Sequence, residues 1–281
     1  MEKIIAGALY VVSTPIGHLD DMTLRAIHIL NNVDLILCED TRVTRKLLDR
    51  YDIKTTYQSF HQHNEHSKSS DIINSLIQGQ AIALVSDAGT PLISDPGYPL
   101  IKMCVESNIR VIPIGGASAL LNALVASGMI THPFYFQGFL PKKKQAKIKT
   151  LESIKQLEAT LIFYESPNRV YDSIQSMLEI FGDRKVTLAR ELTKKHETFT
   201  YSTLKNIEEI NIHPKGEYVI IVEGFKHEVI TLGDTTISMF ETYLENGLSE
   251  KDAMKKVAEI SGVSKREVYQ FIKVKKGHID E

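Results

Sequence analysis

Cysteine is nearly missing from this 281-residue chain: Cys38 and Cys104 are the only two, each inside an apolar run. That excludes a disulfide-stapled scaffold and a four-cysteine zinc site. An excess of one charge sign is also missing. The 33 basic and 35 acidic residues leave a formal net charge of -2, so no global field draws the chain to a polyanion. A nucleic-acid partner would have to be held by a local basic patch. Glycine and proline, at 16 and 9 residues, are too few for a collagen-like chain, and 43% hydrophobic residues exclude broad disorder. The longest weakly polar stretch, 114–130, is broken by Gly115, Gly116, Ser118, Asn122, Ser127 and Gly128, so it is too interrupted to span a bilayer. The opening MEKIIAGALYVVSTP lacks the small-residue cleavage site of a secretory leader. A soluble, cytoplasmic protein with no membrane partner is expected.

What is present is an alternation. Short β-branched runs at 8–12, 34–38, 81–86 and 109–114 alternate with helical spacing at 24–31, 42–50, 69–78 and 99–107. Buried strands alternating with helices predict crossover connections and a mostly parallel sheet. The pattern restarts with strands at 134–138, 160–164, 186–190 and 217–222. Helices are expected at 144–156 and 169–181, and a loop-rich stretch at 201–211. Two α/β domains, 1–115 and 116–230, are therefore expected with a cleft between them. A helical extension, 231–281, follows: Ser249 and Ser264 read as helix N-caps and Gly262 as a stop, a helix-turn-helix pattern. From 249 to 277 it holds eight Lys or Arg against four acids, a balance that suits phosphate contact or a solvated helical cap.

Four loops in the first half have the composition of a site. VVSTPIGH follows the first strand, with Pro15 fixing direction and Gly17 allowing close backbone approach. LCEDTR places Glu39, Asp40, Thr41 and Arg42 at a strand's C-terminal end, where open α/β sheets bind ligands. VSDAGTPLISDPGYP brings Asp87 and Asp95 on a stiff loop without the GxGxxG spacing of a pyrophosphate site. PIGGASA turns at Gly115 and Gly116 and starts a helix at Ser118, whose free N–H groups suit a carboxylate. An acid on one side and a helix N-terminus on the other suit an amino-acid zwitterion.

In the second half, FQGFLPKKKQAKIK carries the strongest basic run, residues 142–149, which is either a solvated helix start or a phosphate grip. Arg42, Arg169 and Arg190 are candidates for holding phosphates or orienting acids. His61, His63 and His66 have ligand-like spacing but lie in a polar loop with no fourth ligand. No metal is expected, and proton transfer, substrate hydrogen bonding or plain surface polarity remain for them.

Taken together, TPIGHLDDMTLRA, CEDTR, FHQHNE, VSDAGTPLISDPGYPL, PIGGASA, FQGFLP, FYESPNRV, RELTKKHE and GEYVI resemble the ribosomal RNA small subunit methyltransferase I family, a branch of the tetrapyrrole methylase superfamily. The resemblance runs through nearly the whole chain in order. It implies a tetrapyrrole-methylase-like α/β fold of two domains with a helical C-terminal extension. It also implies S-adenosylmethionine as methyl donor and 2′-O-methylation of a cytidine ribose in small-subunit ribosomal RNA. The RNA is expected in an assembled or nearly assembled subunit, and the chain as a homodimer. Carried over residue by residue, the donor site is Ile16, Asp87, Thr90, Ser118, Ala119 and Tyr164, with Leu192 and Glu217. Ser13-Thr14-Pro15-Ile16-Gly17 stands where the superfamily has a glycine-rich loop, and Ser86-Asp87-Ala88 where it commonly has Gly-Asp-Pro. A ribose hydroxyl needs a base or a stabilising cation. Asp40 and Glu191 come first, ahead of Glu39, His63 and Glu65, with Arg42 and Lys194 as assisting cations. A corrin-precursor methylase and a non-catalytic RNA-binding assembly factor are the competing readings.

Overall fold

The computed structural model describes residues 3–209, 212–226 and 233–277. The chain divides into two compact units, Met1–Gly224 and Phe225–Glu281. The expected boundary at 230/231 lies outside the described residues.

The larger unit opens with β1 (Leu9–Val12), α1 (Leu24–Asn32), β2 (Leu35–Cys38), α2 (Thr41–Arg50), β3 (Tyr57–Ser59), α3 (Glu65–Ile77), β4 (Ile82–Val85), α4 (Tyr98–Glu106) and β5 (Val111–Ile114). The five strands form a wholly parallel sheet in the order β3-β2-β4-β1-β5. Every residue of β1 and β4 is buried, as a parallel sheet covered on both faces requires. Alternate residues serve opposite layers. Ala8, Tyr10 and Val12 pack with Ala26, Ile29, Leu30 and Leu48 of α1 and α2, whereas Leu9, Leu37 and Leu84 pack with Ile72, Leu76 and Leu100 of α3 and α4. Each fully buried Leu or Ile contributes about 1.5–3 kcal/mol by leaving water. The four first-half loops singled out above follow β1, β2, β4 and β5 and leave the C-terminal edge of this sheet.

The chain then passes through α5 (Ala119–Ala126), β6 (Phe134–Phe139), α6 (Lys144–Ile154), β7 (Thr160–Glu165), α7 (Val170–Phe181), β8 (Lys185–Arg190), β9 (Thr198–Thr203) and β10 (Tyr218–Val222). Their order is β6-β7-β10-β8-β9. The expectation of a mostly parallel arrangement fails here: only β6 and β7 pair parallel, and the other three pairs are antiparallel. No helix separates β8 from β9, so the chain returns beside itself antiparallel. The stretch expected to be loop-rich from 201 is the end of β9 followed by a 3-10 turn at Lys205–Glu209, and residues 210 and 211 lie outside the described residues. One face of this sheet packs on α6 and α7. The other packs Ile162, Val219 and Ile221 on Leu120, Ala123 and Leu124 of α5, together with Ile16 from the first loop. Ile16 thus ties the first sheet's loop to the second sheet's core.

The smaller unit contains α8 (Asp234–Glu245), α9 (Glu250–Ser261) and α10 (Lys265–Gly277) around Phe240, Ala253, Val257, Val268 and Ile272. Ser249 accepts the Asp252 amide as N-cap, Gly262 closes α9 at φ 65°, and Ser264 and Glu267 form a reciprocal capping box. Among the described residues no helix is long and apolar enough to cross a membrane.

Candidate active site

Three of the loops are stitched to one another by hydrogen bonds. Thr14 and Gly89 exchange backbone bonds of 2.8 and 3.1 Å, and the Thr14 hydroxyl donates to the Ser86 carbonyl at 3.2 Å. Ser13 Oγ and Thr90 Oγ1 lie 3.0 Å apart, and Thr90 also donates to the Ala117 carbonyl at 3.2 Å. Gly116 is required by this closeness: a Cβ there would stand 2.8 Å from Ser13 Cβ.

These loops and the second sheet enclose a cavity of about 360 Å³. The structure brings seven of the eight expected donor residues to its wall: Ile16, Asp87, Thr90, Ser118, Ala119, Tyr164 and Glu217. Leu192 is not on the wall but packs behind it with Ile16 and Tyr164. Asp87 accepts the Asp40 amide at 3.0 Å, and burial pushes its carboxyl above the ordinary range. Ser118, on the same cavity wall, occupies the N-cap of α5 without a side-chain cap bond. Tyr164 accepts the Leu120 amide at 3.1 Å, and burial drives its phenol up to about 12, so the hydroxyl stays neutral. Phe139 meets the Tyr164 ring edge-on at 5.7 Å.

The proposed catalytic side chains fall around this cavity rather than in it. Asp40 caps α2, receives the Arg42 amide at 2.8 Å and pairs with the guanidinium, which holds its carboxyl at about 2. Arg42 is thereby committed to Asp40. Glu191 accepts Lys194 Nζ at 3.0 Å and the Glu217 amide at 3.1 Å; despite partial burial, these contacts hold it below the usual carboxylate range. Lys194 also donates to Glu217 at 2.8 Å. His63 is exposed, its ring 5.9 Å from that of His61, and borders none of the cavities described here. Glu65 is buried and accepts the Gly97 amide at 2.9 Å, which assigns it to loop support. Among the described residues, no three His, Cys, Asp or Glu side chains gather as metal ligands.

Three of the candidate phosphate-binding cations make bonds within the protein. Lys147, in the basic run, is buried and pairs with Asp172 at 2.5 Å, although Lys142, Lys143, Lys144 and Lys149 remain exposed. Arg169 donates to the Leu140 and Pro141 carbonyls at 2.8 and 3.2 Å and pairs with buried Glu165, so it fastens one loop to another. Arg190 holds the Lys215 carbonyl at 2.9 Å and the His213 ring at 3.0 Å. In each case a backbone carbonyl, a ring nitrogen or an acid that packing brought close engages the cation.

A second cavity, about 460 Å³, adjoins the first and shares Ile16, Asp87, Ala88 and Glu217 with it. Its other walls include Val43, Lys46 and Leu47 of α2, which the sequence reading did not single out. Their i, i+3, i+4 spacing after the Asp40 cap was the available signal.

The model of Tetrapyrrole (Corrin/Porphyrin) Methylases matches residues 8–208. A protein of Halalkalibacterium halodurans named ribosomal RNA small subunit methyltransferase I is 46% identical over 274 residues, covering 94% of this chain and 94% of its own. The protein of that name from Bacillus subtilis is 44% identical over 279 residues, covering 96% and 95%. Uroporphyrin-III C-methyl transferase from Thermus thermophilus, solved with S-adenyl homocysteine, shares the fold with a TM-score of 0.56 at 14% identity, covering 77% of this chain and 97% of its own. With the family model matching 8–208, well over half of the chain, and near-full-length relatives of one name, the chain belongs to the tetrapyrrole methylases, in the ribosomal RNA small subunit methyltransferase I family.

Proposed function

We propose that this protein uses S-adenosylmethionine to methylate the ribose 2′-hydroxyl of a cytidine in small-subunit ribosomal RNA. The observation that carries the reading is one cavity lined by both an acid, Asp87, and the N-terminus of α5, in a chain related along its length to ribosomal RNA methyltransferases. The residues present fit the cofactor. A half-buried carboxylate whose nearby cation, Arg42, is paired with Asp40 matches an ammonium, and the first turn of α5 matches a carboxylate. Ile16, Phe139 and Tyr164 offer apolar and aromatic surface to a purine. Thr90, Ser118, Ala119 and Glu217 complete the wall, and Leu192 supports Ile16 from behind.

When bound, the cofactor would supply a methyl group to the ribose oxygen, its sulfonium becoming a thioether while the hydroxyl proton passes to water. The protein's part is alignment, which recovers roughly 7–11 kcal/mol in well-oriented reactions. Asp40 and Glu191, held ionised, are weak proton acceptors and serve as anchors: Asp40 orients Arg42 and the start of α2, and Glu191 orients Lys194. Lys194 lies where its charge can offset a developing oxyanion.

The RNA is proposed to be met within an assembled or nearly assembled small subunit, in the cytoplasm, by a homodimer. Incubation with labelled S-adenosylmethionine and undermethylated small subunits tests the reading. Label on a cytidine ribose is the expected result, and label on a base, or none, overturns it.

A further inference from the structure

Two cavities flank the donor cavity, and the charge on their walls separates them. One, about 270 Å³, shares Ser94 and Asp95 with the donor cavity and adds Glu39 and Glu65. Burial and the neighbouring Glu39 raise Asp95 to about 6, a sign of acids crowded together. Such a wall repels a phosphate. The other is the 460 Å³ cavity between α2 and the RELTK loop, whose wall sets Lys46 and Lys194 beside Asp87 and Glu217, a balance of charges where the first cavity has acids alone.

That second cavity is also the more firmly built. Glu191 and Thr193 take left-handed conformations, at φ 52° and 63°, which non-glycine residues hold only where surrounding contacts enforce them. The enforcing contacts come from the first loop: His18 N–H donates to Thr193 Oγ1 at 2.9 Å, and Gly17 lies so close that a Cβ would stand 2.5 Å from Lys194 Cγ. The result fixes Lys194 between Glu191 and Glu217, at the border of the two cavities.

We propose that this second cavity is the acceptor subsite. It takes one unstacked nucleotide of an RNA strand, with the ribose at the Asp87–Glu217 border and the phosphate on the Lys46 side. The inference rests on the methyltransferase reading given above. Its volume lies within the ~300–1,000 Å³ of pockets that hold small ligands. RNA sequence is read mainly on splayed, single-stranded nucleotides, and enzymes acting on a nucleotide take it out of the stack. Leu19 and Val43, 43% and 41% exposed, give the base an apolar surface at the mouth.

Full-length Lys46→Glu, Lys46→Arg, Val43→Trp and Gln62→Trp variants test the assignment; the last fills the acidic cavity instead. All three positions are exposed, so folding is not at stake. The readouts are KM for undermethylated small subunits, affinity for a fluorescent small-subunit RNA fragment, and calorimetric affinity for S-adenosylmethionine. Lys46→Glu and Val43→Trp are expected to raise KM and weaken RNA affinity by about tenfold, roughly 1.4 kcal/mol, with cofactor affinity unchanged. Lys46→Arg restores wild-type values, and Gln62→Trp keeps them. Unchanged KM in the first two, or a rise in Gln62→Trp alone, overturns the subsite while leaving the function standing. A wild-type protein that labels no RNA removes both.

Discussion

Asp87 and Asp95 stand on the same loop and are both raised by burial, yet their surroundings differ. Asp87 has one oxygen on the Asp40 amide; Asp95, shared by the donor and acidic cavities, has Glu39 as its neighbouring charge. Replacing Asp87 with Asn keeps the shape and removes the charge. Hydrogen bonds to charged groups are worth about 1.5–3 kcal/mol, so calorimetry should show cofactor affinity falling roughly 10- to 100-fold. Asp95 makes a stability prediction instead. Its folded-state value of about 6 exceeds the ordinary 3.8, so the folded protein binds the proton more tightly than the unfolded chain does. Stability is fully present below pH ~4 and lost as pH rises through ~6. Asp95→Asn should therefore raise the melting temperature at pH 7.5 by a few degrees, about 1 kcal/mol after discounting for solvent screening, and lose that advantage at pH 4. Thermal unfolding at the two pH values checks it.

At the level of elements, the sequence made legible what packing repeats and hid what a single contact decides. The strands of the first sheet are continuous buried runs such as Leu9–Val12 and stand out for that reason. β3, only Tyr57–Ser59, is too short to show a pattern, and β9, Thr198–Thr203, has no buried residue. Antiparallel pairing in the second sheet depends on which distant strand lies beside β10, and no local spacing encodes that. The donor loops were legible because turn residues cluster in them, whereas the burial of Lys147 goes with a pairing to Asp172 on α7. The seam between the halves is likewise hidden in one glycine. An added methyl at Gly17 meets Lys194 Cγ, Thr193 Oγ1 and the Leu192 carbonyl at 2.5, 2.7 and 2.9 Å; at Gly115 it meets nothing within 4 Å. Gly17→Ala should destabilise by about 1–3 kcal/mol, with Gly115→Ala within about 0.5 kcal/mol of wild type. Denaturant unfolding of the pair separates the cost of the seam from that of losing a glycine.

For the whole molecule, the difficulty is a net charge of -2 on a protein proposed to grip a polyanion. The charge is unevenly placed. On α10, Arg266, Tyr269, Gln270 and Lys273 share one exposed face at i, i+3, i+4, i+7 spacing, and Lys273 Nζ stands 5.0 Å from the Tyr269 ring centre. Lys265 precedes them on the same exposed turn, and the opposite face of the helix gives Val268 and Ile272 to the unit's own core. A helix whose core side is already satisfied by its neighbours has no structural need for basic residues on the other, and an aromatic among cations suits stacking on a nucleic acid. If these side chains contact phosphates, each contact releases condensed counterions and adds about 0.7 to the slope of log affinity against log salt on single-stranded RNA. Reversing Lys265, Arg266 and Lys273 to Glu should then flatten that slope by about 2 and weaken RNA binding most at low salt. Cofactor affinity, set in the other unit, should not move. A slope identical to wild type would leave the α10 face without a role in RNA contact, and phosphate contact would then rest on other exposed lysines such as Lys46 and those from Lys142 to Lys149.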